Sequence, residues 1–119
     1  MRLVIVESPY AGDVERNLRY LRAALADCLK RGEAPFAGHA LYTQPGVLDD
    51  AKPEERALGI EAGFCWAKKA DATVVYMDLG FSKGMHAGIW NATLAFRPCE
   101  YRSLPEWAPA ADQEKKPNG

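Results

Sequence analysis

The sequence predicts an α/β fold: one Rossmann-like or flavodoxin-like domain of three layers, with a parallel sheet of four to five strands. Two largely apolar runs, residues 3–6 and 71–77, lack the polar alternation of half-exposed strands, which is typical of strands covered on both faces. Strands and amphipathic helices alternate along the chain, and this order favours right-handed parallel crossovers. A chain of 119 residues is long enough for one such core.

The first strand and helix carry clear boundary signals. After the strand at residues 3–6, Asp13 is placed to cap a helix over residues 13–31. Apolar residues recur in this helix every three or four positions, from Val14 onward, so one face is expected to pack on the sheet. Gly32 suits the position just beyond the helix end.

The second strand and the segment after it carry weaker boundary signals. Residues 34–37 are expected to form a short strand, and Pro35 favours a strand start or a sheet edge. Residues 38–46 are predicted to be a loop over the sheet. Pro53, followed by two glutamates in the first turn, indicates a helix over residues 53–69.

The third strand, residues 71–77, leads into a glycine-containing turn. Ser82 is expected to cap a helix over residues 82–97, which Pro98 ends, before a last strand at residues 99–102. We therefore assign residues 1–104 to the domain. Residues 105–119 form a polar tail without periodicity, which we expect to be disordered.

Composition excludes several classes of partner. The net charge is −1 with 26% charged residues, so a nucleic-acid partner attracted by bulk charge is not expected. No apolar run approaches the roughly 18–20 residues that span a bilayer, and the amino terminus lacks a signal-peptide layout, so we expect no membrane partner and a cytoplasmic location. Three cysteines without CxxC spacing are expected to be free thiols, and two isolated histidines predict no metal site.

Three loops are expected to converge at the carboxyl ends of the strands, where open sheets bind ligands: residues 7–12, 39–44 and 78–86. The first and third also lead into helix amino termini, whose free N–H groups favour phosphate or another anion. We expect Tyr10, Asp78, Ser82 and His86 to lie around one pocket there.

Three of these motifs carry a family resemblance. Ser8-Pro9-Tyr10-Ala11-Gly12, the strand entry Ala70-Asp71-Ala72-Thr73-Val74-Val75, and Ser82-Lys83-Gly84-Met85 resemble, in order, the nucleoside 2-deoxyribosyltransferase superfamily. The resemblance covers about residues 2–103. That superfamily includes deoxynucleoside monophosphate N-glycosidases and many small uncharacterised relatives in phages and bacteria. It implies a nucleoside, nucleotide or nucleotide-derived ligand, no cofactor, and a homo-oligomer in which neighbouring subunits complete the site.

One position departs from the family pattern. The helix-opening motif of the family resembles Ser-x-Gly-x-x-x-Glu, whose Glu attacks the anomeric carbon, and here that position is Gly88. Glycine offers no carboxylate to offset oxocarbenium charge or form a glycosyl ester. Two interpretations stay open: hydrolysis or transfer at the N-glycosidic bond by other groups, or a catalytically inactive protein that sequesters a nucleotide. Gly88→Glu is expected to create or raise N-glycosidase activity if the pocket is otherwise intact.

Candidate residues follow from the loops and from the resemblance. Catalytic candidates are His86, Glu61 and Asp78, with a surface histidine, a solvated helix residue and a turn residue as the respective alternatives. His39 is either a ligand contact or a loop anchor, Tyr10 either stacks near the base or packs at the sheet edge, and Glu7 is either a site carboxylate or an exposed turn residue. The predicted ligand-binding set is Glu7, Ser8, Tyr10, His39, Ser82, Lys83, Gly84, Met85 and Gly88.

Overall fold

The fold is given by a computed structural model that describes residues 1–107. Strands and helices alternate along the chain except where two helices follow the second strand. The elements are β1 (Arg2–Glu7), α1 (Val14–Lys30), β2 (Glu33–Phe36), α2 (Gly38–Leu41), α3 (Pro53–Ala67), β3 (Ala72–Tyr76), α4 (Lys83–Leu94) and β4 (Cys99–Arg102). No helix within these residues combines the length and the apolar character that crossing a membrane requires.

The four strands form one parallel sheet in the order β2-β1-β3-β4. β1 pairs with β2 on one side and with β3 on the other, with Val4 opposite Ala72 and Val6 opposite Val74. The predicted α/β class and its parallel sheet are therefore confirmed. The order of strands reverses between β1 and β3, and ligands of open α/β sheets bind at such a switch point.

The two faces of the sheet have different roles. Val4 and Val6 of β1 belong to the core cluster that packs with Tyr20 and Leu21 of α1. Because successive strand residues point to opposite faces, Ile5 and Glu7 turn the other way, toward α4 and the carboxyl edge of the sheet. One face of β1 thus holds the fold together, while the other faces a ligand-sized space.

Side-chain caps fix the starts of α1 and α4. The Asp13 side chain accepts a hydrogen bond from Arg16 N–H at 3.2 Å, and the Ser82 hydroxyl accepts one from Met85 N–H at 3.2 Å. Gly32, just after α1, adopts a φ of 79°, a conformation that favours glycine. These contacts are the ones the sequence predicts at the helix ends.

The structure differs from the sequence-based prediction in two places. Residues 38–41, which were predicted to be a loop, form α2, which packs against α3. No side-chain cap marks the start of this helix. Trp107 lies beyond the predicted domain end at residue 104, yet its ring meets Tyr20 edge-on at a centroid distance of 5.0 Å. The remainder of the predicted tail, residues 108–119, lies outside the described residues.

A network of charged side chains crosses the sheet. The Arg102 guanidinium donates two hydrogen bonds to the Glu33 carboxylate, both at 2.7 Å, and a third to Glu100 at 3.0 Å. Arg2 forms ion pairs with the same two carboxylates, those of Glu33 and Glu100. The side chains of Glu33 and Arg102 are each only 6% exposed, so the pair is buried and fully engaged.

Candidate functional site

A cavity of about 320 Å³ lies at the carboxyl ends of β1 and β2, between α2 and α3 on one side and the start of α4 on the other. Its size falls in the range of small-molecule sites, about 300–1,000 Å³. All nine of the predicted ligand-binding residues line it: Glu7, Ser8, Tyr10, His39, Ser82, Lys83, Gly84, Met85 and Gly88.

The Glu7 carboxyl group occupies the space directly beside Gly88. All three terminal atoms of the Glu7 side chain lie within 2.7 Å of the point that a Cβ at residue 88 would occupy, whereas real Cβ atoms essentially never approach another atom within 3.0 Å. The carboxyl group of β1 therefore fills the space that a side chain on α4 would need. A side chain at residue 88 would require the flexible end of Glu7 to move, so Gly88→Glu, which the sequence analysis expects to create or raise activity, would also displace Glu7.

The environment of Glu7 favours its protonated form. Desolvation raises the pKa of Glu7 to about 8, although the positive charge of Arg97 lowers it in part. Arg97 is fixed by hydrogen bonds to Thr73 Oγ1 (2.9 Å), the Ala67 carbonyl (3.1 Å) and Asn91 Oδ1 (2.6 Å), and it forms no ion pair with Glu7. At neutral pH the cavity therefore holds a carboxylic acid beside a fixed guanidinium.

A second polar pair lies across the cavity. Ser8 Oγ and His39 Nε2 are 2.9 Å apart, and the Thr43 hydroxyl donates to the His39 carbonyl at 2.7 Å. Burial lowers the pKa of His39 to about 4, so its imidazole is neutral at physiological pH. The pair joins the end of β1 to α2 and offers a ligand one neutral imidazole nitrogen and one hydroxyl.

Aromatic and cationic side chains complete the walls. Phe36 meets Tyr42 edge-on at 6.3 Å and stacks with Trp66 at 5.4 Å, which gives the cavity a rigid apolar side. Arg56 and Lys83 line the cavity from α3 and from the first turn of α4. Within residues 1–107 no group of three or more His, Cys, Asp or Glu side chains is placed to hold a metal ion.

The three predicted catalytic residues lie outside the cavity lining. The Asp78 carboxylate accepts hydrogen bonds from the Tyr20 hydroxyl at 2.7 Å and from Leu104 N–H at 2.8 Å, so it fastens the chain after β4 to α1. His86 is exposed and stacks on Phe81 at 5.7 Å, and Glu61 is exposed on α3. The structure therefore brings none of the three into the cavity, and their catalytic roles stay predictions.

Comparison with known proteins agrees with the fold. The profile of a family described as a domain of unknown function, DUF7768, matches residues 2–102, which is most of the chain. The chain belongs to the DUF7768 family. No curated protein sequence matches it.

Among solved structures, this DUF7768 chain is similar to a 2-deoxyribosyltransferase from the psychrotolerant bacterium Bacillus psychrosaccharolyticus. The TM-score is 0.61 at 15% sequence identity, and the match covers 97% of this chain and 92% of that one. At this identity the likeness shows the shared fold.

Sequence reasoning missed several cavity residues. Asn91 lies near the end of α4, and Arg97 lies in the segment after it. The only signal in the sequence there was the expected end of a helix. Tyr42 and Thr43 lie in a segment that was expected to converge on the site, but neither was singled out. Phe64 and Gly63 lie on α3, and the sequence did not indicate which face of that helix lines the cavity.

Proposed function

We propose that this protein binds a nucleoside or nucleotide in the cavity and cleaves its N-glycosidic bond, by hydrolysis or by transfer. The observation that carries the proposal is the Glu7 carboxyl group in the space beside Gly88. It supplies an acid–base group inside an apolar cavity of ligand size, and cleavage of a glycosidic bond depends on such a carboxyl group.

The walls of the cavity suit the parts of such a ligand. Phe36, Tyr42 and Phe64 offer apolar and aromatic surface of the kind on which a nucleobase packs. Lys83, Arg56 and the first backbone N–H groups of α4 favour the phosphate of a nucleotide. A nucleoside monophosphate is therefore expected to bind more tightly than its nucleoside.

The structural neighbour supports the same ligand class. A 2-deoxyribosyltransferase shares this fold over nearly its whole length, and the cavity lies at the switch point of the sheet, where such folds bind ligands. The alternative, an inactive sequestering protein, depended on the missing carboxylate at residue 88. Because Glu7 provides a carboxyl group in that space, we favour turnover over sequestration.

The test is incubation with a panel of nucleosides and their 5′-monophosphates, followed by chromatography of the free base and of any ligand released on denaturation. Free base from at least one member is the expected result. Intact ligand alone would instead identify a sequestering protein. Neither free base nor bound ligand across the panel would contradict the proposed function altogether.

Filling the cavity from α3 is expected to block this binding without harming the fold. A Cβ at Gly63 would meet no atom within 4 Å, and Gly63 lines the cavity from within a helix. Gly63→Leu should weaken ligand affinity at least about tenfold, the equivalent of about 1.4 kcal/mol. It should not lower the thermal midpoint, since replacing glycine inside a helix stabilises by about 0.5–1 kcal/mol.

The matched control is Ala57→Leu, on an exposed position of α3 that does not line the cavity. Isothermal titration with the best ligand of the panel should give wild-type affinity for this variant. Equal affinities for both leucine variants would place the ligand elsewhere.

We also expect a homo-oligomer, because α3 and α4 expose large apolar side chains. Trp90 and Leu94 of α4 are 62% and 63% exposed, and Leu58 of α3 is 54% exposed. Aromatic side chains are enriched in protein interfaces. Sedimentation at micromolar concentration should give at least twice the chain mass of 13.1 kDa.

Trp90→Ser should shift this assembly toward the monomer. Leu29→Ser, at a similarly exposed position on α1, should leave the assembly unchanged. A wild type that sediments only near 13.1 kDa would rule the oligomer out.

A further inference from the structure

No hydrogen bond or ion pair within the described residues involves the Glu7 carboxyl group. Ser8 and His39 bond to each other, and Arg97 is held by three hydrogen bonds of its own. The pKa of Glu7, in contrast, responds only to desolvation and to the charge of Arg97, with no hydrogen bond contributing. A lining carboxyl group without a partner has its hydrogen-bonding capacity free for a ligand.

We propose that Glu7 is the proton donor to the leaving nucleobase, so that β1 supplies a carboxyl group to the cavity although α4 carries glycine at residue 88. This inference rests on the proposed function. Its geometric basis is the contact with Gly88: the carboxyl group lies directly against the backbone of α4, at the point where a side chain of that helix would begin.

The burial of Glu7 suits a donor better than a nucleophile. A nucleophile must be a carboxylate in the resting protein, whereas desolvation keeps this group protonated at neutral pH. The fixed positive charge of Arg97 favours the carboxylate that remains after the proton has left. Glu7 therefore begins the reaction as the acid and ends the first step as a stabilised anion.

The proposed reaction balances with water as the only co-reactant. The bond between C1′ and the ring nitrogen breaks, its electron pair stays on the base, and the Glu7 proton moves to that base. Water then forms a bond to C1′ and returns a proton to the Glu7 carboxylate. The products are the free base and the free sugar or sugar phosphate, with Glu7 protonated again.

The test compares two substrates that differ in whether the base needs a proton to leave. The probes are 2′-deoxyguanosine 5′-monophosphate and its N7-methylated form, whose base already carries a positive charge and departs neutral. Glu7→Gln should lower kcat on the first probe by about 10²–10⁴, the usual worth of a positioned acid–base group. It should spare the N7-methylated probe, and Ala57→Leu should change neither rate.

A pH profile gives a second measurement. Wild-type kcat on the unmethylated probe should fall as the pH rises through about 8, the pKa of Glu7, because the proton is then lost. An acid whose pKa rises from 4.5 in the unfolded chain to about 8 in the folded protein lowers stability as the pH rises between those two values. The wild-type Tm should therefore fall between about pH 5 and pH 8, whereas the Tm of Glu7→Gln should not.

The outcomes separate this inference from the proposed function. Equal losses on both probes, or a rate that rises with pH, would overturn the donor role and indicate a nucleophile or a purely electrostatic role. Full activity of Glu7→Gln on the unmethylated probe would exclude Glu7. A wild type that releases the base from neither probe nor from any member of the panel would overturn the proposed reaction, and the donor role with it.

Discussion

Moving the carboxyl group from β1 to α4 is expected to restore activity that either single substitution removes. Glu7→Ala should lower the rate of base release by about 10²–10⁴. Gly88→Glu alone should also lower it, because its Cβ would meet the Glu7 carboxyl group and bring a second carboxylate into the same space. Glu7→Ala combined with Gly88→Glu removes that conflict and should recover at least tenfold over Glu7→Ala.

Gly84→Glu is the matched control for this exchange. Gly84 also lies on α4 and lines the cavity, but a Cβ there would meet only Ser82 Oγ, at 3.9 Å. Combined with Glu7→Ala, it places a carboxylate one turn away and should recover nothing. The measurement is the rate of base release for each variant, with circular dichroism to verify folding. A double variant no faster than Glu7→Ala would contradict the shared position of the two carboxyl groups.

Local patterns predicted the fold because its determinants are themselves local. Two apolar runs, an Asp cap and a Ser cap define most of the elements, and β1 and β3 pair in parallel as expected. α2 was missed because it has four residues, no capping side chain and no apolar period, and it is held by packing against α3. A helix that depends on tertiary contacts leaves little trace in the sequence.

The loops that line the cavity were predictable because the carboxyl ends of parallel strands converge at one edge. The directions of individual side chains were not predictable, since sequence order does not show where a side chain points. Asp78 lies two residues beyond the end of β3, yet its carboxylate binds Tyr20 and Leu104. The pairing of Glu7 with Gly88 joins residues 81 positions apart, and only the packing of α4 on β1 brings them together. Because residue 88 is glycine, the space beside α4 is open to the Glu7 carboxyl group.

The buried pair of Glu33 and Arg102 is expected to be the most sensitive point of the fold. Glu33→Gln leaves the Arg102 guanidinium buried without its carboxylate, and breaking such a pair costs about 3–5 kcal/mol. Domains of this kind are stable by only about 5–15 kcal/mol, so urea unfolding should show a loss of a large fraction of the free energy of unfolding. Glu100→Gln, at a carboxylate that is 39% exposed, should cost no more than about 1 kcal/mol.

The same pair predicts how acid affects stability. Hydrogen bonds from Arg102 hold the pKa of Glu33 below its usual value of 4.5, so the folded protein keeps this carboxylate ionised at a pH where the unfolded chain has protonated it. The stabilisation is therefore complete above about pH 4.5 and is lost as the pH falls through the folded-state value. Wild type should lose stability over that range more steeply than Glu33→Gln, which has no proton to take up there. Replacing both partners, with Glu33→Leu and Arg102→Met, should cost less than Glu33→Gln alone, because no buried charge is left unpaired. Parallel acid profiles for wild type and Glu33→Gln would show that this pair does not control the acid response.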